Sequence, residues 1–418
     1  MKGWQFKKLN DLCEFRNGLW KGKNPPYQTV GVIRNTNFTK DGFLDDSNIA
    51  YLEVEIKQYS TRKLYAGDLI LEKSGGGPKQ PVGRVILFDE EKGEFSFSNF
   101  TSIIRVRDRS TLLPKYLHKV LHFFYLSGVT ESMQKNSTNI RNLQLKEYKE
   151  IEVPVPPIAE QKRIVAIVDE VFEGIDSAIA NAEKNLANAR ELFESYLKAI
   201  FTRKGDDWVE KTVGEISKHS LGKMLDKRKN IGEFKPYLRN LNVRWFEFDL
   251  SDLLEMRFEE KERDKYTAIK GDVMICEGGY PGRSAIWEED EPIYFQKAIH
   301  RVRFENPAHS KWFLYFIYLC DCNGDLREYF TGAGIQHFTG QSLHRFKLPV
   351  PPTSQTEKLT EIFDELREET QRLEAIYQRK LAALNELKQS ILQKAFSGEL
   401  TADVGVRAVE GAKEAMAA

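Results

Sequence analysis

The 418-residue chain balances 62 Lys+Arg against 62 Asp+Glu and is 41% hydrophobic, a composition expected of a soluble protein with two to four domains, each able to bury its own core. Zero net charge excludes a molecule coated in basic residues, and the longest apolar run, Trp312 to Cys320, falls well short of the ~20 residues of a membrane span. The four cysteines, Cys13, Cys276, Cys320 and Cys322, are too few and too unevenly placed for a disulfide frame, and the start Met1-Lys2-Gly3-Trp4 does not read as a secretory signal, so a cytoplasmic location is expected. Cys320-Asp321-Cys322 has no second Cys/His pair at zinc spacing, and no metal residue is assigned.

Residues 1–150 are rich in short β-type runs separated by turn residues: Val30-Gly31-Val32-Ile33, Asp68-Leu69-Ile70-Leu71, Gly83 to Phe88 and Thr101 to Val106. A helix is predicted over Pro114 to Leu126, where Tyr116, Leu117, Val120, Leu121, Phe124 and Tyr125 recur at helical spacing. The segment reads as an α+β domain. Its 24 Lys+Arg against 17 Asp+Glu are an excess of 7, enough to turn a basic face towards phosphates.

Residues 151–205 change character. Val155-Pro156-Pro157 opens a long helix ending in Leu197-Lys198-Ala199-Ile200-Phe201, with prolines where a missing N–H costs nothing. Its apolar seam is Ile164, Val168, Val171, Ile175, Ala178, Ala182, Leu186, Ala189, Phe193, Tyr196 and Ile200. Residues 206–347 then repeat the order of the first domain with little identity. Trp4 corresponds to Trp208, Arg34-Asn35-Thr36-Asn37 to Arg239-Asn240-Leu241-Asn242, Gly67-Asp68 to Gly271-Asp272, Gly83-Arg84 to Gly282-Arg283, and Arg105-Val106-Arg107 to Arg301-Val302-Arg303. The helical patch recurs at Lys311 to Leu319.

Residues 348–400 repeat the long helix, from Val350-Pro351-Pro352 to Leu392-Gln393-Lys394-Ala395-Phe396, at a constant offset of 195 (351 minus 156, 396 minus 201). Both seams alternate steps of four and three except for two consecutive fours, at 178 to 186 and at 373 to 381, a stutter that locally unwinds a coiled coil. Matching heptads with a matching stutter predict two helices of about 60 Å that pack on each other, most simply antiparallel. The expected architecture is α+β, two mixed globular domains alternating with two long paired helices in a pseudo-two-fold arrangement. Residues 401–418 read as a loose tail.

This alternation resembles the specificity subunit of type I restriction-modification systems. In that family two variable target-recognition domains alternate with two similar helical regions, whose entrance reads Pro-Pro-x-x-Glu-Gln. Pro156-Pro157-Ile158-Ala159-Glu160-Gln161 matches it, while Pro351-Pro352-Thr353-Ser354-Gln355-Thr356 keeps the prolines and loses Glu-Gln. A small-residue turn, an Ile and a later hydrophobic residue precede each entrance, in Ser137 to Leu143 and Gly332 to Phe338. The resemblance implies a chain without catalytic, cofactor or metal residues of its own. Each domain would read one half of an asymmetric split site on double-stranded DNA, and the helices would set the spacer and dock two methyltransferase subunits. Those partners would bind S-adenosylmethionine, and a motor-nuclease subunit using ATP and Mg2+ could join them.

Base readout needs forked donors and acceptors on loops that reach base edges. Four clusters fit as DNA-binding candidates. The first is Arg34, Asn35 and Asn37 with Arg239, Asn240 and Asn242; the second is the glycine-rich stretch with Lys73, Ser74, Lys79, Gln80 and Arg84, matched by Tyr280 and Arg283. The third is Asn99 with Gln296 and Lys297, and the fourth Asn139 and Arg141 with Gln336, His337 and Thr339. Each competes with a plain structural reading as strand-end or turn residues. His300, a lone histidine among apolar neighbours, reads first as a core residue.

Two other class readings compete. One is a coiled-coil scaffold that binds protein and reads no DNA. The other is a permuted adenine-N6 methyltransferase, because Asn24-Pro25-Pro26-Tyr27 resembles that family's target-holding tetrapeptide and Phe330-Thr331-Gly332-Ala333-Gly334 its cofactor loop. Such a glycine loop should follow a buried strand and open a helix. Here Asp325 to Tyr329 precede it and no helical periodicity follows before Pro351.

Overall fold

The computed structural model describes residues 3–20, 22, 24–77, 80–90, 92–137, 140–226 and 228–401. Lys79, Asn139 and the expected tail from residue 402 onward lie outside the described residues. The chain divides into two units, Met1–Glu183 with Arg379–Ala418, and Lys184–Gln378.

In the first unit the alternating apolar runs pair into a four-stranded antiparallel sheet, ordered Cys13–Asn17, Thr101–Val106, Asp68–Glu72, Val85–Phe88. The central strand Asp68–Glu72 is buried along its whole length, as its near-continuous apolar sequence requires. A second sheet sets Tyr27–Ile33 between Ala50–Glu55, antiparallel, and Phe95–Phe97, parallel. Pro114–Leu126 is helical as its spacing predicts, and buries Tyr116, Leu117, Val120 and Leu121 in the core.

The second unit repeats this plan with one added edge strand, Thr267–Ala268: Ser217–Leu221, Ile299–Phe304, Val273–Cys276, Ser284–Ile286 in one sheet, and Leu254–Phe258, Glu233–Leu238, Ile293–Phe295, Thr267–Ala268 in the other. The helical patch is longer than expected, Ala308–Asn323, and carries Trp312, Phe313, Tyr315 and Ile317 into the core. Gly18 and Gly222 mark one shared joint. A Cβ on Gly18 would lie 1.8 Å from the Ser98 carbonyl oxygen, and one on Gly222 would lie 2.3 Å from that of Gln296, so backbone approach demands glycine at both.

The units differ at one end. The first adds a three-stranded sheet, Gln134–Ser137, Ile140–Leu143 and Ser74–Gly76. At the same place the second has a single bridge between Thr331 and His337.

The long helices run Ile158–Arg203 and Thr353–Ser397. In the first unit the start of one packs on the end of the other: Ile164, Val168, Val171 and Ile175 share a core with Leu384, Ile391, Ala395 and Phe396, and Lys388 pairs with Asp176. In the second unit the end of the first helix meets the start of the second, with Arg190 to Glu374 at 2.7 Å and Phe201 against Phe363 at 5.8 Å between ring centroids. The pairing is therefore antiparallel. The predicted seams of both helices are buried or half-buried throughout. At each helix end a neighbouring pair is buried as well, Leu197 and Phe201 in the first and Leu392 and Phe396 in the second, because Phe201 turns onto Trp312 and Phe316 and Phe396 onto Tyr116 and Phe123 of the globular domains.

The entrance motif has a structural cause. Gln161 is wholly buried; its Oε1 accepts from the Leu113 N–H at 2.8 Å and its Nε2 donates to the Thr111 and Pro156 carbonyls at 2.9 and 2.8 Å. Every polar group of the amide's inward end is satisfied, which pins the helix to the domain. The equivalent Thr356 donates its hydroxyl to the Pro351 and Pro352 carbonyls, and Gln355 takes a hydrogen bond from the Trp208 indole at 3.0 Å instead. Among the described residues no helix is long and apolar enough to cross a membrane.

Candidate nucleic-acid interface

Each unit opens its candidate surface with the same turn. Asn37 is 2% exposed; its Oδ1 accepts from the Arg34 N–H at 3.0 Å, and its Nδ2 donates to the carbonyls of Asp45 and Asn48, both at 3.1 Å. Asn242 does the same, accepting from Arg239 at 2.8 Å and donating to Asp249 and Asp252 at 2.9 and 3.1 Å. These two asparagines are the rivets of the turn and do not reach outward. They lift the preceding arginine and asparagine to the rim: Arg34 and Asn35 are half-buried, and Asn240 donates to the Gly278 carbonyl at 3.0 Å.

The second cluster divides. Arg84 forms a buried two-pronged pair with Glu72, Nε at 2.8 Å and Nη2 at 2.9 Å, and donates Nη1 to the Phe38 carbonyl at 3.0 Å. That pairing raises its pKa further and leaves it no reach towards a phosphate, so the reading of Arg84 as a phosphate contact gives way to a scaffold role. Lys73 and Ser74 stand nearer the surface. Lys73 Nζ donates to Asn17 Oδ1 at 2.8 Å, and partial burial lowers its pKa. Ser74 donates to Asn142 Oδ1 at 2.6 Å, while Gln80 is exposed.

In the second unit Arg283 donates to the Asn240 carbonyl at 2.9 Å and lies 5.1 Å from the Tyr280 ring centroid, and Tyr280 donates to Asp321 at 3.3 Å. Here too the arginine braces the turn, and the exposed phenol ring is what faces outward.

Asn99 is half-buried, Gln296 half-buried and Lys297 exposed, all in the loop after the parallel strand. Arg141 lies on Ile140–Leu143, whose pairing with Ser74–Gly76 joins it to the second cluster. Gln336 and His337 are exposed, His337 lying against Gly278, and Thr339 instead caps the short helix Gly340–His344 by accepting from the Ser342 N–H at 3.3 Å. His300 is buried, and desolvation pushes its pKa down to about 4, in line with its core reading.

The fold thus gathers Arg34, Asn35, Lys73, Ser74, Asn99 and Arg141 at one end of the first unit, and Arg239, Asn240, Tyr280, Lys297, Gln336 and His337 at the matching end of the second. In the first unit Arg34, Asn35 and Asn99 line a cleft of about 570 Å³ together with Trp20, Tyr51 and Phe100. Trp20 and Tyr51, 66% and 65% exposed, were not singled out by sequence reasoning, because aromatic residues read first as core. The available signal was composition: Trp20 sits in Gly18-Leu19-Trp20-Lys21-Gly22-Lys23, whose glycines and lysines are not the composition of a core strand.

The two methyltransferase-like motifs lie outside these surfaces' logic. Asn24, Pro25 and Pro26 form an exposed approach to the strand Tyr27–Ile33, and Phe330–Gly334 follows a 3-10 turn, Asp325–Tyr329, with no buried strand before it. Neither has the strand-turn-helix setting of a nucleotide loop.

Known proteins share this fold over nearly the whole chain. The type I restriction enzyme EcoKI specificity subunit of Escherichia coli (strain K12) is 23% identical over 432 residues, covering 96% of this chain and 90% of that protein. The MjaX specificity subunit of Methanocaldococcus jannaschii is 24% identical over 203 residues, a match that spans about half of each, 48% of this chain and 46% of that one. A solved chain from work on complex assembly and conformational transition of the type I R-M system shares the fold with a TM-score of 0.77 at 17% identity, covering 96% of this chain and 99% of that chain. The family model for the type I restriction modification DNA specificity domain matches twice, over residues 1–186 and 205–382, and the chain belongs to that family.

Proposed function

We propose that the chain is the DNA sequence-specificity subunit of a type I restriction-modification complex. Each domain reads one half of a bipartite, asymmetric site on duplex DNA. The paired helices hold the two readers at a fixed phase on the duplex and dock two methyltransferase subunits, through which nuclease and translocase subunits join. The chain itself carries no catalysis; S-adenosylmethionine, ATP and Mg2+ belong to the partners.

One observation carries this reading: a single scaffold, duplicated down to the hydrogen bonds of Asn37 and Asn242, bears unlike loops at the same end. Unlike readers on a like frame suit two different half-sites. Two readers on one duplex must also keep helical phase, as dimeric repressors do. The test is exchange of residues 1–150 for the corresponding domain of another such subunit, followed by mapping of methylated adenines. One half of the site should change and the other stay; an unchanged site would leave the protein-binding scaffold as the better reading. Removal of matched helical turns near Ala182 and its partner helix should alter the spacer alone.

A further inference from the structure

The cleft of the first domain differs in chemistry from the same place in the second. Strand register makes the comparison exact. Leu19 bridges Ser98 as Lys223 bridges Gln296, so Trp20 corresponds to Met224 and Phe100 to Ala298. Ile33 pairs with Phe97 as Leu238 pairs with Phe295, and following the antiparallel partners from there sets Tyr51 against Glu255. Three exposed aromatics in one reader are thus a thioether, a carboxylate and a methyl in the other. Trp20 and Tyr51 are about two-thirds exposed and Phe100 44% exposed around one concave surface, a contiguous apolar patch of the kind that marks an interaction site.

The lining argues for a base edge and against the sugar-phosphate backbone. Glu53 lines the cleft beside Tyr51 and offsets the one cation of the lining, Arg34, so the cleft holds no net positive charge to draw a phosphate in. Asn35 and Asn99 offer amides on the same wall, the groups that pair with base edges in the major groove. The apolar feature of a major-groove edge is the thymine 5-methyl group, which aromatic and methyl side chains contact directly.

Resting on the reading of this chain as a DNA specificity subunit, we propose that the first domain recognises its half-site in part by packing Trp20, Tyr51 and Phe100 on thymine methyl groups. This is a readout by apolar contact that the second domain does not share at the equivalent positions.

The test uses the full chain assembled with its methyltransferase partners and duplexes of the mapped site. Each thymine of the half-site assigned to residues 1–150 is replaced in turn by uracil, which removes one methyl and keeps every hydrogen-bonding group. At least one replacement should raise Kd about fourfold, the effect of one buried methyl group. Trp20→Ala and Phe100→Ala should bind the thymine and uracil duplexes alike. Because both side chains are exposed, these variants should keep the wild-type melting temperature; if either fails to assemble, Tyr51→Ser is read in the same way. Neutral uracil at every position, a half-site without thymine, or a uracil penalty that persists in the aromatic variants overturns the proposal. Loss of any link between residues 1–150 and a half-site would overturn the specificity-subunit reading itself, a different result.

Discussion

The two globular domains share their deep contacts and differ at their tips. In both, an aspartate at the start of the central strand holds an arginine from its neighbour, Asp68 with Arg105 at 2.6 Å and Asp272 with Arg303 at 2.7 Å, so the counterpart of Arg105 is Arg303 and not Arg301 as the row of letters suggested. Both rivet the reading turn with a buried asparagine, and both spend a glycine where two backbones touch. Divergence is concentrated in the three-stranded extension, the aromatic trio and the residues around Arg84 and Arg283. The lesson is that a duplicated chain can serve as its own comparison set: what both copies keep is frame, and what they change is where two unlike partners would be met.

One difference lies below the surface and provides the strongest test of that division. Arg84 is neutralised by buried Glu72, whereas the equivalent of Glu72 is Cys276, and Arg283 relies on a carbonyl and the Tyr280 ring. Glu72→Ala should destabilise the first unit by about 3–5 kcal/mol, because it strands a buried guanidinium. Cys276→Ala should cost only about 1 kcal/mol. Urea denaturation of the two variants decides it, and equal effects would mean that Arg84 reaches solvent.

Acid should separate the units next. Burial holds His118 at about 4 and His122 at about 3 in the first, and His300 at about 4 in the second. Each folded value lies below that of the unfolded chain, near 6.5, so the stability is fully present above about pH 6.5 and is lost as pH falls towards 4. By pH 5 the loss is about 2 kcal/mol per histidine. The first unit holds two strongly shifted histidines on one helix against one in the second, where half-buried His219 and His309 are lowered less, so the first should open first, seen as earlier loss of hydrogen-exchange protection in residues 114–126 than in 308–323.

The helix entrances sharpen the comparison further. Gln161→Leu leaves the Leu113 N–H and two carbonyls unpaired and should cost about 2–4 kcal/mol; Thr356→Val removes one hydroxyl and should cost about 1 kcal/mol. Thermal unfolding of each variant would show the asymmetry. The smallest effect is expected at the helix pair, where Arg190→Ala removes an exposed ion pair with Glu374 worth under about 1 kcal/mol and screened by salt.

Much of the frame was legible beforehand. The offset of 195 located both long helices, Pro114 to Leu126 was helical as its spacing required, and the strands at Asp68 and Thr101 followed from their β-branched runs. Less of the surface was legible. Arg34 and Arg84 look alike in a row of letters, yet one lines a cleft and the other is 7% exposed beneath it. The burial of Leu197 and Phe201, and of Leu392 and Phe396, beside the seam was hidden too, since it comes from aromatic residues of the globular domains, Trp312 and Phe316 in one unit and Tyr116 and Phe123 in the other.

By itself, then, the sequence determined the repeat, the alternation of domains and helices, and the faces that pair, because periodicity is a local property written at 3.6 or 2 residues and survives without knowledge of any neighbour. Only the tertiary structure decided which polar residues are frame and which are reader. A guanidinium or an amide takes its role from the partner brought beside it: Glu72 against Arg84 and the carbonyls of Asp45 and Asn48 against Asn37 on one side, an open cleft beside Asn35, Trp20 and Tyr51 on the other.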